Sequence, residues 1–199
     1  MASFTQSYGG SCGAVCLMCA AIELGITQIR KLPPQTRYMH WPVVAPIDLD
    51  TNQECERIIY NVTGESAGPT DPGNWGYSMP SDIVIAARRL GLQAEVISYE
   101  TNSLERLTGR YPDEVPVLKL MMAHKPEAGQ HSPDRPGAGR REIRALWKGI
   151  WLHYILVRPD GTAMDPANGS NYESVHKAKR PFLGMTAMHG TGVSIQVWR

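Results

Sequence analysis

The sequence predicts an α+β fold in a single domain spanning residues 1–199, and three observations predict it. Apolar residues recur at helical spacing through the first half, over 15–24, 52–62 and 82–90. Runs of strand length and strand composition dominate the second half, at 115–122, 149–158 and 192–198. The chain has 199 residues, enough for one well-cored domain, and shows no internal repeat. The expected division is a helical half over about 1–110 and a strand-rich half over about 111–199.

The first element is organised by the stretch from Gln6 to Ala21, QSYGGSCGAVCLMCAA. Cys12 lies six positions after Gln6, among Gly9, Gly10, Ser11, Gly13 and Ala14, and an apolar helix follows until Gly25. Small residues let the backbone turn tightly and leave a sulfur uncovered. The free N–H groups and positive end of a helix favour thiolate over thiol. Cys12 is therefore the candidate nucleophile, in a setting that can bring a thiol pKa down from about 8.5 to about 3.5–7.5. Cys16 and Cys19 fall inside the helix and read as core residues, and Cys55 carries no signal. The C-x3-C-x2-C spacing lacks the second close ligand pair of a structural zinc site, so no metal is expected.

The segment 27–46 holds prolines at 33, 34, 42 and 46 and reads as a surface loop, with an extended piece at 41–44. Asp50 or Thr51 is the expected cap of the second helix, 52–62, whose apolar face is Cys55, Ile58, Ile59 and Val62. A loop rich in Gly, Pro, Asp and Ser leads to Ser81, the expected cap of the third helix, 82–90, which Gly91 stops. A strand follows at 92–99, then a short helix at 102–109 and a buried strand at 115–122. Residues 123–141 carry three prolines and three glycines among charges and read as an excursion, with Arg140, Arg141 and Arg144 in a loop-like region. The stretch 149–158, GIWLHYILVR, is a strand, PDGT at 159–162 is a tight turn, and the return begins at Ala163.

His153 sits inside that strand, and the returning strand runs into Asp165-Pro166-Ala167-Asn168-Gly169. Such a hairpin can bring Asp165 or Asn168 beside the imidazole, which supplies the third group that orients a base serving a nucleophile. Gln6 is placed to donate its side-chain amide to an oxyanion beside the Cys12 N–H.

Composition narrows the class of function. Lys+Arg is 20 and Asp+Glu is 19, a net charge of +1, so nothing marks a nucleic-acid partner. No apolar run approaches the ~18 residues of a membrane span. The N-terminal residues lack the basic and apolar regions of a secretory signal. Four cysteines are too few for a disulfide scaffold.

In Gln6-x5-Cys12-Gly13, MPSDIVIAARRLGLQA from Met79, Val115-Pro116-Val117-Leu118, and His153-Tyr154-Ile155-Leu156-Val157 with Asp165-Pro166, the chain resembles the papain-like cysteine peptidases. It is most similar to the bacterial double-glycine leader peptidases that process bacteriocins. The spacing of 141 residues from Cys12 to His153 falls within the ~130–150 of the papain arrangement. Gly13 stands where plant and lysosomal papains have an aromatic residue, which argues against that branch.

The resemblance implies a helical half carrying the nucleophile packed on an antiparallel sheet half carrying His and Asp, with the cleft between them. It implies a hydrolase in which Cys12 attacks, His153 moves the proton, Asp165 fixes the imidazole and Gln6 helps hold the oxyanion. That chemistry needs no metal or cofactor. It further implies a protein or peptide substrate, a preference for small residues or Gly-Gly before the cut, and the context of a delivered bacterial effector or toxin with an immunity or inhibitor protein. Such a protein is cytoplasmic in the producer and enters a target cell by a signal-independent route. Trp75, Tyr77 and Trp151 are available to wall a narrow cleft. Glutamine deamidation or transglutamination by the same residues, and an inactive binding module, are the competing readings.

Overall fold

Punctuation in the sequence sets the helices of the fold, which is a computed structural model describing residues 1–33, 41–68, 71–98, 135–148, 151–178 and 188–199. Helix α1 (Cys12–Glu23) is buried continuously from Cys12 to Ala21. A helix apolar on every side belongs at the centre of a core. Gly25, at φ 79°, ends it, and the Gly25 and Ile26 N–H groups cap the carbonyls of Ile22 and Ala21.

Helix α2 (Gln53–Thr63) is capped by Asn52, whose side chain accepts from the Cys55 N–H at 2.9 Å, and not by Asp50 or Thr51. Helix α3 (Pro80–Arg89) starts ahead of the expected Ser81 cap. Pro80 occupies the first turn, where a missing N–H costs nothing, and Met79 precedes it without a side-chain cap.

The described residues form a six-stranded antiparallel sheet in the order β3–β8–β4–β5–β6–β7. Its members are β3 (Gln93–Ser98), β4 (Arg140–Lys148), β5 (Trp151–Val157), β6 (Ala163–Asp165), β7 (Ser170–Tyr172) and β8 (His189–Trp198). Strand β3 precedes most of the sheet in sequence yet pairs with β8, so the two halves interleave along the chain. A separate ribbon, β1 (Gln28–Ile29) with β2 (Ile47–Asp48), replaces part of the expected surface loop, and residues 41–44 are not a strand.

Arg140, Arg141 and Arg144 are strand residues of β4, a correction to the loop-like reading. Flanking glycines and prolines disguised that strand. Arg140 stacks on Trp198 and contacts Glu95 and Gln196, while Arg144 pairs with the buried Glu142. The expected helix at 102–109 and strand at 115–122 lie outside the described residues, as does most of the excursion.

Helix α1 packs on α2, α3 and one face of the sheet, against Leu152, Tyr154, Leu156, Ile143, Ile195 and Val197. The other face carries a smaller cluster of Leu146, Ile155, Val157 and Ala163, closed by Ala178 of a short helix, Val175–Ala178. At the far end of α1, Glu23 accepts from Arg141 Nε at 2.6 Å, Arg158 Nε at 2.8 Å and the Ala2 N–H at 3.0 Å. This network ties the C-terminal end of α1 to the sheet and to the N-terminal segment. Among the described residues no helix is long and apolar enough to cross a membrane.

Candidate active site

Cys12 is the first residue of α1 and is 2% exposed. Its loop follows a path that only small residues allow. A Cβ on Gly10 would stand 1.9 Å from the Gly76 carbonyl oxygen, and one on Gly13 would stand 2.6 Å from Ser78 Cβ. Ser78 N–H donates to the Gly10 carbonyl and its hydroxyl meets Thr63 Oγ1 at 3.0 Å, so the glycine loop is laid directly on α2 and the start of α3.

His153 lies on β5 and Asp165 ends β6. These strands pair Leu156 with Met164 and Val157 with Ala163. Continued along the strands, that register sets Asp165 on the face of His153, in a diagonal position that long side chains can bridge. The imidazole and carboxylate do bridge it: His153 Nε2 and Asp165 Oδ1 are 2.7 Å apart, and each side chain is 14% exposed. Asp165 Oδ1 also accepts from the Ala167 N–H at 2.8 Å, which fixes the carboxylate. Cys12 lies close enough to the imidazole to act on its charge in the same direction as Asp165.

Burial disfavours the charged imidazole, but the hydrogen bond to Asp165 and the nearby Cys12, together with the charges of both, outweigh it and lift His153 from 6.5 to about 10. Burial makes three thiols harder to ionise. Burial pushes Cys16 well above its ordinary value and Cys19 up to about 12, and burial also raises Cys55.

Asn168, the alternative partner of the imidazole, is engaged elsewhere. It donates to Tyr172 Oη at 2.8 Å and accepts from the Ser170 N–H at 2.9 Å. Gln6 is anchored by its backbone N–H on the Pro166 carbonyl at 2.8 Å, which brings it to the Asp165 turn. Its side-chain nitrogen faces the Tyr8 carbonyl at 2.8 Å and the Gly9 carbonyl at 3.3 Å. Trp75 is 2% exposed and packs its ring 5.3 Å from Tyr60, so it is a core residue and not a cleft wall. Tyr77 is half-buried near Cys12, and its hydroxyl meets the Leu152 backbone. The Trp151 side chain lies outside what the structure describes.

Sequence reading passed over the polar face of α2. Glu56, Tyr60 and Thr63 are all buried there, at helical spacing, against the loop that carries Cys12. Ser11 donates to Glu56 Oε1 at 2.6 Å, and Tyr60 donates to the Gly76 carbonyl. The available signal was the i, i+4, i+7 recurrence of Glu56, Tyr60 and Thr63 beside the apolar stripe.

A helix-borne thiol meeting a sheet-borne imidazole is the arrangement of the papain-like cysteine peptidases, an α+β class. Residues 4–199 match the family model described as Invasion plasmid antigen J, cysteine protease, and the chain belongs to that family. It is 32% identical over 208 residues to the cysteine protease IpaJ of Shigella flexneri, covering 96% of this chain and 76% of that protein. Among solved structures it is similar to the peptidase domain of Streptococcus mutans ComA bound to a small-molecule inhibitor, with TM-score 0.39 and 12% identity over the whole of both chains. The likeness to ComA is too loose to bear on function. The chain is a cysteine-type peptidase, a hydrolase acting on protein substrates.

Proposed function

We propose that this peptidase works by acyl transfer through Cys12, His153 and Asp165, with Gln6 and the Cys12 N–H holding the oxyanion. The observation that carries the reading is the imidazole of His153, held by Asp165 at 2.7 Å and close enough to Cys12 for the two to act on each other electrostatically. The Cys12 sulfur attacks the scissile carbonyl carbon and the carbonyl oxygen becomes an oxyanion. His153 then gives a proton to the leaving amine as the C–N bond breaks, leaving a thioester. A water, deprotonated by His153, attacks the thioester and frees the acid and the thiolate. Asp165 holds the imidazole in the tautomer this requires. For Gln6 to donate to the oxyanion it releases the longer, 3.3 Å contact to Gly9.

Within that mechanism, the enzyme prefers small residues, above all Gly-Gly, before the cut. Tyr77, half-buried beside Cys12, supports a narrow cleft that selects by clash. Delivery into a target cell as an effector, and protection of the producer by an inhibitor protein, belong to the same reading. The test is a peptide library varied at the two positions before the cut, read by mass. Fragments ending in Gly-Gly support both parts. Large apolar residues at the second position remove the Gly-Gly preference alone. A gain of about one dalton without fragments, from an amide converted to an acid by the same thioester, replaces peptidase by deamidase.

A further inference from the structure

One carboxylate oxygen reaches both ends of the catalytic loop. Glu56, in the first turn of α2, is 0% exposed. Its Oε1 accepts the Ser7 N–H at 2.8 Å and the Ser11 hydroxyl at 2.6 Å. Ser7 follows Gln6, and Ser11 precedes Cys12. Its other oxygen, Oε2, is buried with no hydrogen-bond partner among the described residues. A carboxylate buried with so few donors is costly. Its place in the first turn of α2, where the helix end is positive, offsets part of that cost. An apolar residue would satisfy the core at lower cost, so the charge is retained for what Oε1 holds.

We propose that Glu56 is a positioning residue: Oε1 sets the separation between Gln6 and Cys12, and hence between oxyanion donor and nucleophile. The inference rests on the functional reading of Gln6 and Cys12 above. Charge-assisted hydrogen bonds are the short, strong ones, and two of them converging on one atom leave the intervening residues little freedom. Tyr60, one turn further along α2, closes the same loop from the side by stacking on Tyr8 with ring centroids 5.9 Å apart.

Two thiol probes separate this role from simple support of the fold. Iodoacetamide is displaced at carbon with loss of iodide and develops no oxyanion. Acetyl-Gly-glycinal takes the Cys12 sulfur onto its aldehyde carbon to give a hemithioacetal, and its oxygen enters the oxyanion site. The rate of Cys12 alkylation, followed by peptide mapping, and the protection the aldehyde gives against it are measured together, with the melting temperature. A misplacement of about 1 Å can cost about 10²-fold in such a site. Glu56→Ala is expected to keep an alkylation rate close to wild type and to lose about tenfold or more in aldehyde affinity, as Gln6→Ala does. Glu56→Gln, which keeps an acceptor oxygen, restores most of that affinity.

Should Glu56→Ala fail to fold, Ser11→Ala cuts the hydroxyl tether alone and is expected to lose aldehyde affinity in the same selective way. Folded variants with wild-type aldehyde affinity overturn the proposal. So does a loss of both readouts in step with melting temperature, since that is the mark of a structural role. In wild-type protein, alkylation that does not favour Cys12, or no aldehyde protection despite selective alkylation, overturns the underlying site reading and this inference with it.

Discussion

At the scale of single residues, their surroundings divide the four cysteines. Cys16, Cys19 and Cys55 have thiols pushed up by burial, whereas Cys12 meets an imidazole at a helix start. Iodoacetamide at pH 6 is expected to modify Cys12 first, and peptide mapping of partly alkylated protein checks it. Equal labelling of all four would sink the assignment. For His153 the sign follows from its proton being held more tightly in the folded chain. Its bond to Asp165 adds stability that is fully present below about 6.5 and fades as pH rises toward about 10. The alkaline limb of turnover should therefore lie near pH 10. Asp165→Asn is expected to move that limb down toward 6.5 and to cost about 10²–10⁴ in turnover. Asn168→Ala removes only turn contacts and should cost about 1 kcal/mol of stability with the pH limb unmoved. A larger pH shift from Asn168→Ala than from Asp165→Asn would reverse the assignment.

At the scale of elements, the contact that matters is α1 against α2 and the start of α3. Gly13→Ala drives a methyl against Ser78 Cβ and within 2.8 Å of Ile83 Cδ1. The expected cost is about 1–3 kcal/mol, read by denaturant melts, with turnover falling because Cys12 is the adjacent residue. Full stability in that variant would mean that the two helices part more easily than their packing implies. The sequence made α1 legible, because its apolar run is bounded by glycines on both sides. It made β5 and β6 legible for the same kind of reason, a β-rich run followed by a PDGT turn. What escaped were features whose cause is tertiary. Strands β1 and β2 have only two residues each and exist through their pairing. Strand β4 begins with two arginines that alternation reads as surface, and their partners come from β8, β3 and α1. Glu56 looks like an exposed helix charge until the loop from Ser7 to Ser11 is folded over it. His153 and Asp165 were legible as a pair, but Asp165 and Asn168 could be told apart only by where the turn sent each side chain.

For the molecule as a whole, Glu23 is the fastening between the central helix and the sheet. Its side chain is 7% exposed, and that of Arg158 is 3% exposed. Removing one member of a buried ion pair strands the other, at a typical cost of about 3–5 kcal/mol. Glu23→Ala is expected to lower the melting temperature by roughly 6–20 °C at about 2–4 °C per kcal/mol. Turnover per folded molecule should survive, since the network lies at the opposite end of α1 from Cys12. Loss of turnover without loss of stability would show that the two ends of the helix are coupled. The strand order has a further consequence in time. β8 runs from His189 to Trp198, yet it sits between β3 and β4 in the sheet. A ribosome delivers Cys12 well before its imidazole, and the strand that joins β3 to β4 later still. Until that strand docks between β3 and β4, the emerging polypeptide carries a thiol without a finished sheet behind its imidazole.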